Sequence, residues 1–456
     1  MSTETIGSSD IVRRLTEGGL PPRSAEQKRD LIERCLAVLS SRKESTSEIS
    51  AFFAPGRIEV LGKHTDYAGG DSLLCAVSHG FVFFAIERET GSPLTIVNAA
   101  TGESIELSPD TSEAAGSRRG HWSNYPDTVW RRLISNAGRT LRGGLIVFDS
   151  DLPPSSGISS SSALVVGTFL CLDHLNGLLS SEPFRSELRN REALGDYLGC
   201  VENGRDYPGL PGTSGVGTTG GSEDQTAILC ARSGELQHFS FSPTTFRHSV
   251  GMPDGQVFVI ASSGVFAEKT GKALSFYNRV GARASAIVEV WNRRHGARFA
   301  TLGDIVRQGD FDPAAMRRLL LESESAFAPE SLAGRFEQFF RESFEIIPAA
   351  VASLEKKDIV AFAGHVAESQ RLAELHLENQ VPETIALVQL ALEEGAAAAS
   401  AFGAGFGGSV WAITDEVGAL EFLSRWSARY RMLFPASAAH SRFFVERPGP
   451  GAFSLF

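Results

Sequence analysis

The chain reads as an α+β protein of two domains, and three observations point there. It has 456 residues, more than one core usually holds, because single cores stop growing near roughly 250 to 300 residues. Between Ser72 and Leu107 the apolar runs are short and β-rich (SLLCAV, FVFFAI, PLTIV, SIEL) and are separated by Gly, Pro, Asn and Ser, the pattern of a sheet with turns. From about Leu302 to Leu392 the chain instead reads as amphipathic helix. The run VFVIAS, which follows the Pro243 to Gly255 connection, opens the second half and divides the chain into 1–245 and 246–456.

Composition narrows the function. A hydrophobic share of 42% with 21% charged residues is that of a soluble globular protein. The net charge of −11 argues against nucleic acid or an anionic membrane as main partner. Cys35, Cys75, Cys171, Cys200 and Cys230 are far apart, odd in number and without a C-x-x-C, which suggests neither a disulfide framework nor a zinc site. MSTETIGSSD lacks a signal layout and no apolar run approaches a membrane span. The expectation is a cytoplasmic protein, a monomer or weak homodimer.

Residues 1 to about 23 are polar and end in Pro21 and Pro22, which suits an extended or mobile lead. Ser24 with Gln27 forms a capping-box pattern, and Leu31, Ile32, Cys35, Leu36 and Leu39 share one face of the helix it would open. Then comes Ala54 to Gly70, APGRIEVLGKHTDYAGG, where Arg57, Glu59, Lys63, His64 and Asp66 are interleaved with Ile58, Val60 and Leu61 until Gly62 breaks the alternation. A strand that brings a cation, a carboxylate and an imidazole to a turn suits the wall of a small-molecule site; taken alone, it suits a polar surface hairpin equally. HWSNYPDTVWRRLI, from His121, reads as a turn entering a helix, and its Trp122, Tyr125 and Trp130 fit a core better than a pocket.

Gly144 to Leu172 carries a strand (Leu145 to Phe148), a turn through Pro153 and Pro154, and a helix from Ala163 to Leu175. Strand, small-residue loop and helix N-terminus is a phosphate-binding order, because unpaired N–H groups and the helix dipole face the anion. It lacks the G-K-[ST] of a P-loop. A further helix with Leu194, Leu198 and Val201 carries Glu202. Gly215 to Gly220 spell G-x-G-x-x-G, but no strand precedes them and Ala227 to Ala231 reads as a strand. That order does not fit a dinucleotide fingerprint; a glycine-rich wall presenting Glu223 and Asp224 fits better. After a strand at Glu235 to Phe239, a long helix begins near Thr270, and the glycines of ASAFGAGFGGSVWAI precede a strand.

Five of these stretches resemble the galactokinase branch of the GHMP small-molecule kinases. Gly56, Arg57, Gly62, His64, Thr65, Asp66 and Tyr67 match its G-R-x-N-[LIV]-[IM]-G-E-H-T-D-Y signature; Glu59 stands at its Asn and Lys63 at its Glu. Pro153, Gly157, Ile158, Ser159, Ser160 and Ser161 match the P-x-x-x-G-L-S-S-S-A loop, with Ser162 at its Ala. Gly221, Asp224 and Gln225 match G-[GI]-x-D-Q, Tyr277, Asn278 and Arg279 are set against Y-N-x-R, and Ala399 to Ile413 resembles the third motif.

The resemblance implies the two-domain GHMP kinase fold, with an N-terminal half like domain 2 of ribosomal protein S5, a ferredoxin-like α/β C-terminal half, and the active site in the cleft between them. It implies ATP and Mg²⁺ as cofactors and a sugar as partner. The loop of Pro154, Ser155, Ser156, Gly157, Ile158, Ser159, Ser160 and Ser161 would cradle the ATP phosphates, and Ser161 with Glu202 would hold the metal. Asp224 would take the sugar proton and Arg57 would hold Asp224 ionised. Lys63, His64, Asp66, Gly221 and Tyr277 would contact the sugar. Galactose comes first as substrate. Lys63, a donor-only cation, leaves galacturonate open, alongside L-arabinose, N-acetylgalactosamine and a Glu59–Lys63 exchange that keeps a galactose site. A catalytically silent sugar and ATP sensor is the alternative of another class, and a mevalonate- or homoserine-type kinase is disfavoured by H-T-D-Y.

Overall fold

The structure, a computed structural model, describes residues 7–42, 49–89, 92–108, 118, 120–153, 157–265 and 271–456, without the side chains of 271–277. Among the described residues twelve strands form two sheets: β1 Ile49–Leu61, β2 Asp71–Glu87, β3 Leu94–Asn98, β4 Ser104–Leu107, β5 Gly144–Ser150, β6 Glu235–Ser240, β7 Thr245–Gly251, β8 Gln256–Ser262, β9 Ala398–Phe402, β10 Ser409–Asp415, β11 Arg442–Glu446 and β12 Phe453–Ser454. The larger sheet runs β12-β1-β2-β5-β3-β4, with the β6–β7 hairpin joined to the start of β2; the smaller runs β11-β8-β10-β9. The 1–245 and 246–456 division therefore falls inside the β6–β7 hairpin, and β12 returns to the first sheet beside β1.

SLLCAV and FVFFAI, separate on paper, lie on one strand, because β1 pairs along nearly all of β2 from Leu73 to Ile86. One face of the large sheet packs on the helices Ser160–Asn176 and Arg191–Asn203 through Phe83, Phe169, Leu198 and their neighbours. The other face is covered by N-terminal helices. The extended lead is corrected here: Ser8–Glu17 is helical, with Ile11 and Leu15 buried against Phe53, Val82 and Val147. Two apolar positions one turn apart were too sparse a signal in so polar a segment. The next main helix runs Arg29–Ser41 after a short turn at Pro22–Glu26, and no side chain caps either. The expected capping box at Ser24 therefore does not form.

The apolar run Ala227 to Ala231 is not a strand: Ala227 to Cys230 are helical, within Glu223–Cys230, and Ala231 ends the helix. Its Ile228 and Leu229 are buried in the core, and a run this short carries no period that separates the two states. The Pro243 to Gly255 connection contains β7. Mostly helical chain from Leu302 to Glu393, including Pro329–Arg341, Ile359–Leu372 and Pro382–Glu393, separates β8 from β9 and β10, as the amphipathic pattern predicts. Among the described residues no helix is long and apolar enough to cross a membrane.

Candidate active site

β1 delivers the first site residues and then must turn. Gly62 sits at φ +120°, and a Cβ there would stand 2.3 Å from Ser72 Oγ and 2.7 Å from Ser72 Cα, so only glycine lets the turn lie this close to β2. Thr65 locks it, its Oγ1 donating toward Gly62 O at 2.7 Å or Asp71 O at 2.8 Å. His64 is left-handed (φ 58°), and its ring bridges Tyr67 Oη at 3.0 Å and Ala404 O at 3.1 Å. Asp66 begins a short 3₁₀ turn, Asp66–Ala68.

Arg57 is the centre of the arrangement. It is 4% exposed. Nε and Nη2 each lie 2.7 Å from Asp224 Oδ1, and Nη1 donates to Gly157 O at 2.6 Å. Burial works to lower its pKa, but the carboxylates of Asp224, Glu223 and Glu59 raise it on balance. The helix Ser160–Asn176 begins beside this pair after Ser159, itself left-handed at φ 58°. Its first-turn N–H groups, at Ser160, Ser161 and Ser162, belong to the set that has no acceptor within a helix.

The helix Arg191–Asn203 brings in Glu202, 4% exposed, near its C-terminal end. Ser162 Oγ lies 2.9 Å from Glu202 Oε2 and 3.3 Å from Asp224 Oδ2, and Gln225 Nε2 donates to Glu202 Oε2 at 2.6 Å. Ser162, at the position of the family's Ala, thus lies between the expected base and the expected metal ligand. Its departure from the motif was the signal available in the sequence.

These groups line one cavity of about 640 Å³. Arg57, Glu59, His64, Asp66, Gly221 and Asp224 line it from the first half, and the Phe402 to Gly408 loop closes it from the second. Gly157, Ser159, Ser160, Ser161 and Glu202 line it too. Gly221 abuts Asp66 so closely that a Cβ would lie 2.1 Å from Asp66 Oδ2. Ile158 is buried in the core instead, its carbonyl accepting from Arg57 N at 3.2 Å. Pro154, Ser155, Ser156 and the Tyr277 side chain lie outside the described residues. Trp122 and Tyr125 line the cavity with Phe81 and Phe148, against the core assignment, whereas Trp130 is core, 1% exposed.

Lys63 is not brought to the cavity. It is 1% exposed and its Nζ lies 3.1 Å from Ser369 Oγ, which donates onward to Glu342 Oε1 at 2.9 Å. Glu342 Oε1 also accepts from Gly62 N at 2.8 Å. Glu59 does line the cavity, and burial pushes its carboxyl up to about 7 against the pull of Arg57 and Lys63. Burial likewise raises Glu223 well above the usual carboxylate range, with Glu59 and Asp66 adding to it.

Oxygen ligands are what Mg²⁺ requires, and Glu202 with the serines of the first turn is a donor set of that kind. A buried carboxylate beside serine hydroxyls, a helix start on the cavity wall and a carboxylate on a buried arginine are parts of the kind phosphoryl transfer uses.

Comparison with known proteins agrees along the chain. Residues 42–86 match the galactokinase galactose-binding signature, 124–197 the GHMP kinases N terminal domain and 350–431 the GHMP kinases C terminal model. A galactokinase of Clostridium beijerinckii is 26% identical over 384 residues, covering 84% of this chain and 89% of that one. One of Bacillus subtilis is 25% identical over 406 residues, covering 89% and 94%. The crystal structure of Lactococcus lactis galactokinase complexed with galactose superposes at a TM-score of 0.73 with 21% identity, over 92% of this chain and 99% of that one. Methanococcus jannaschii mevalonate kinase shares the fold at a TM-score of 0.53 with 14% identity, over 89% and 99%. The signature at Arg57 to Tyr67 and both domain models, in the order the fold requires, place the chain in the galactokinase branch of the GHMP small-molecule kinases.

Proposed function

We propose that the chain is an ATP-dependent sugar 1-kinase, with galactose as its first substrate. The observation that carries this is the Arg57–Asp224 pair beside the start of the helix Ser160–Asn176, within one cavity large enough for sugar and nucleotide phosphates. Asp224 accepts the proton of the anomeric hydroxyl as the new O–P bond forms, and the bond from the γ-phosphorus to the ADP oxygen breaks. Arg57 keeps Asp224 ionised and adds positive charge near the transferring group. The N–H groups of Ser160, Ser161 and Ser162 and the glycines of the Phe402 to Gly408 loop receive the phosphates. Glu202, with Ser161 or Ser162, would hold Mg²⁺, which supplies charge neutralisation across the ATP phosphates when bound. Asp66, with Gly221 against it, anchors the sugar hydroxyls.

Cysteines that form no disulfide, three of them buried, suit a cytoplasmic setting. The test is ADP release with MgATP against galactose, galacturonate, L-arabinose and N-acetylgalactosamine, with the phosphorylated carbon read by NMR. Turnover on galactose with phosphate on C1 is expected. No turnover on any sugar, or phosphate on another carbon, would overturn the reading.

A further inference from the structure

The chain is acidic where β5 runs out toward the helix start at Ser160. Asp149 and Asp151 flank Ser150, the last residue of β5. Asp149, Ser150 and Leu152 line the cavity together with Gly157 and the serines from Ser159 to Ser162. A nucleotide polyphosphate received by the N–H groups of that helix start would therefore meet two like charges.

Both carboxylates are answered from the other face of the sheet. Arg34, in the helix Arg29–Ser41, donates through Nε to Asp149 Oδ2 at 2.7 Å. Lys28, at the N-cap of the same helix, donates through Nζ to Asp151 Oδ2. Lys28 and Asp149 are each 1% exposed, so water cannot stand in for either partner. The second oxygens fix backbone: Asp149 Oδ1 accepts from Ser150 N at 2.7 Å and Asp151 Oδ1 from Gly80 N at 2.8 Å. His79, which also feels the charge of Asp151, is held by Glu446.

The helix does not need these cations to be seated. Its Ile32, Cys35 and Leu39 are buried with Leu145 and Val147 of β5, and apolar burial of that kind supplies the attachment. Buried ion pairs add little once desolvation is counted. Their place behind the cavity wall points to the ligand instead: the aspartates shape the end of β5, and the cations make that end compatible with an anion.

We propose that Lys28 and Arg34 are positioning residues of the nucleotide site, which neutralise Asp151 and Asp149 from outside the cavity and so let the end of β5 stand beside the ATP phosphates. This rests on the ATP site of the sugar-kinase reading and adds to it two residues that touch no substrate.

Calorimetric titration at pH 8 with ATP, AMP and galactose, each alone, reads the charge effect. Lys28→Met and Arg34→Met are each expected to weaken ATP about tenfold, AMP about threefold or less, and galactose not at all. Removing the stranded charge as well, by Lys28→Met with Asp151→Asn and Arg34→Met with Asp149→Asn, is expected to return ATP to within about threefold of wild type. Circular dichroism checks folding. Arg34 has a side chain 46% exposed, so its variants carry the test if those of Lys28 do not fold. Unchanged ATP affinity in the single variants would overturn the proposal. Equal weakening of ATP and AMP, weakening of galactose, or double variants no better than the singles would overturn it too, since each marks a tie that only shapes the wall. ADP release from the same samples separates the two readings. Turnover on galactose with ATP affinity indifferent to the variants sinks this inference alone, and the expected ranking with no turnover on any sugar sinks the kinase reading alone.

Discussion

Replacing Asp224 by Asn perturbs the centre of the proposed chemistry while keeping its shape. Two guanidinium nitrogens of Arg57 close on one oxygen of Asp224 at 2.7 Å, and Arg57 is 4% exposed. Asparagine can keep an oxygen there, so the loss is charge. Two charge-assisted bonds become neutral ones at about 1 kcal/mol each, or about 2 kcal/mol of stability. Asp224→Ala strands the buried cation and should cost about 3 to 5 kcal/mol. The rate falls much further than the stability. Losing the base should lower kcat about a hundred- to ten-thousand-fold, or roughly 3 to 5 kcal/mol of barrier. Urea unfolding of both variants and ADP release at saturating sugar and ATP measure the two effects. If Asp224→Asn kept more than about a tenth of wild-type kcat, the residue would not be the base. If Asn and Ala were equally stable, Arg57 would not depend on an oxygen acceptor at that position.

Three further expectations follow from the same geometry. Gly221→Ala places a methyl 2.1 Å from Asp66 Oδ2, so KM for the sugar should rise about tenfold or more while KM for ATP stays unchanged; equal rises in both would place Gly221 outside the sugar site. Glu59 carries a pKa of about 7 instead of 4.5, so the folded state holds a proton that the unfolded chain releases. The stability from that proton is complete below about pH 4.5 and is lost as pH rises through about 7, by up to about 3 kcal/mol. Glu59→Gln should flatten that fall in urea unfolding from about pH 5 to 8, and an unchanged slope would refute the assignment. Ser162→Ala removes a hydroxyl lying 2.9 Å from Glu202 and 3.3 Å from Asp224. The acid limb of the kcat profile should move upward by a few tenths of a pH unit, because a donor to the ionised carboxylate is lost, and an unmoved limb would leave Ser162 with a packing role only.

Motif residues were legible because their chemistry is local. Gly62 had to be glycine for the turn beside it, and the serines before Ala163 announced a helix start. Arg57 and Asp224 were each readable as charged groups in glycine-bounded segments, though their 2.7 Å pairing needed the fold. Lys63 was misplaced because its destination is set from far along the chain, by Ser369 and Glu342. At the family's position a cation looked like a substrate contact; a buried network of later residues draws it away. Trp122 and Tyr125 looked like core for a related reason: aromatic spacing alone does not say whether a cavity lies in front of the ring. Ala227 to Ala231 was read as a strand because five apolar-rich residues carry no usable period, and tertiary packing decided it.

β12 has a consequence for how the protein is made. Phe52 and Phe53 on β1 find their outer partners at Ser454 and Phe453, and Leu455 N donates to Ala51 O at 2.8 Å. During synthesis the outer edge of β1, the strand that carries Arg57 toward the cavity, emerges long before the segment that covers it. Until that segment leaves the ribosome, a stretch rich in phenylalanine presents unpaired backbone groups to any neighbouring nascent chain. Removing the last few residues should therefore lower soluble yield more than it lowers the activity of the molecules that do fold.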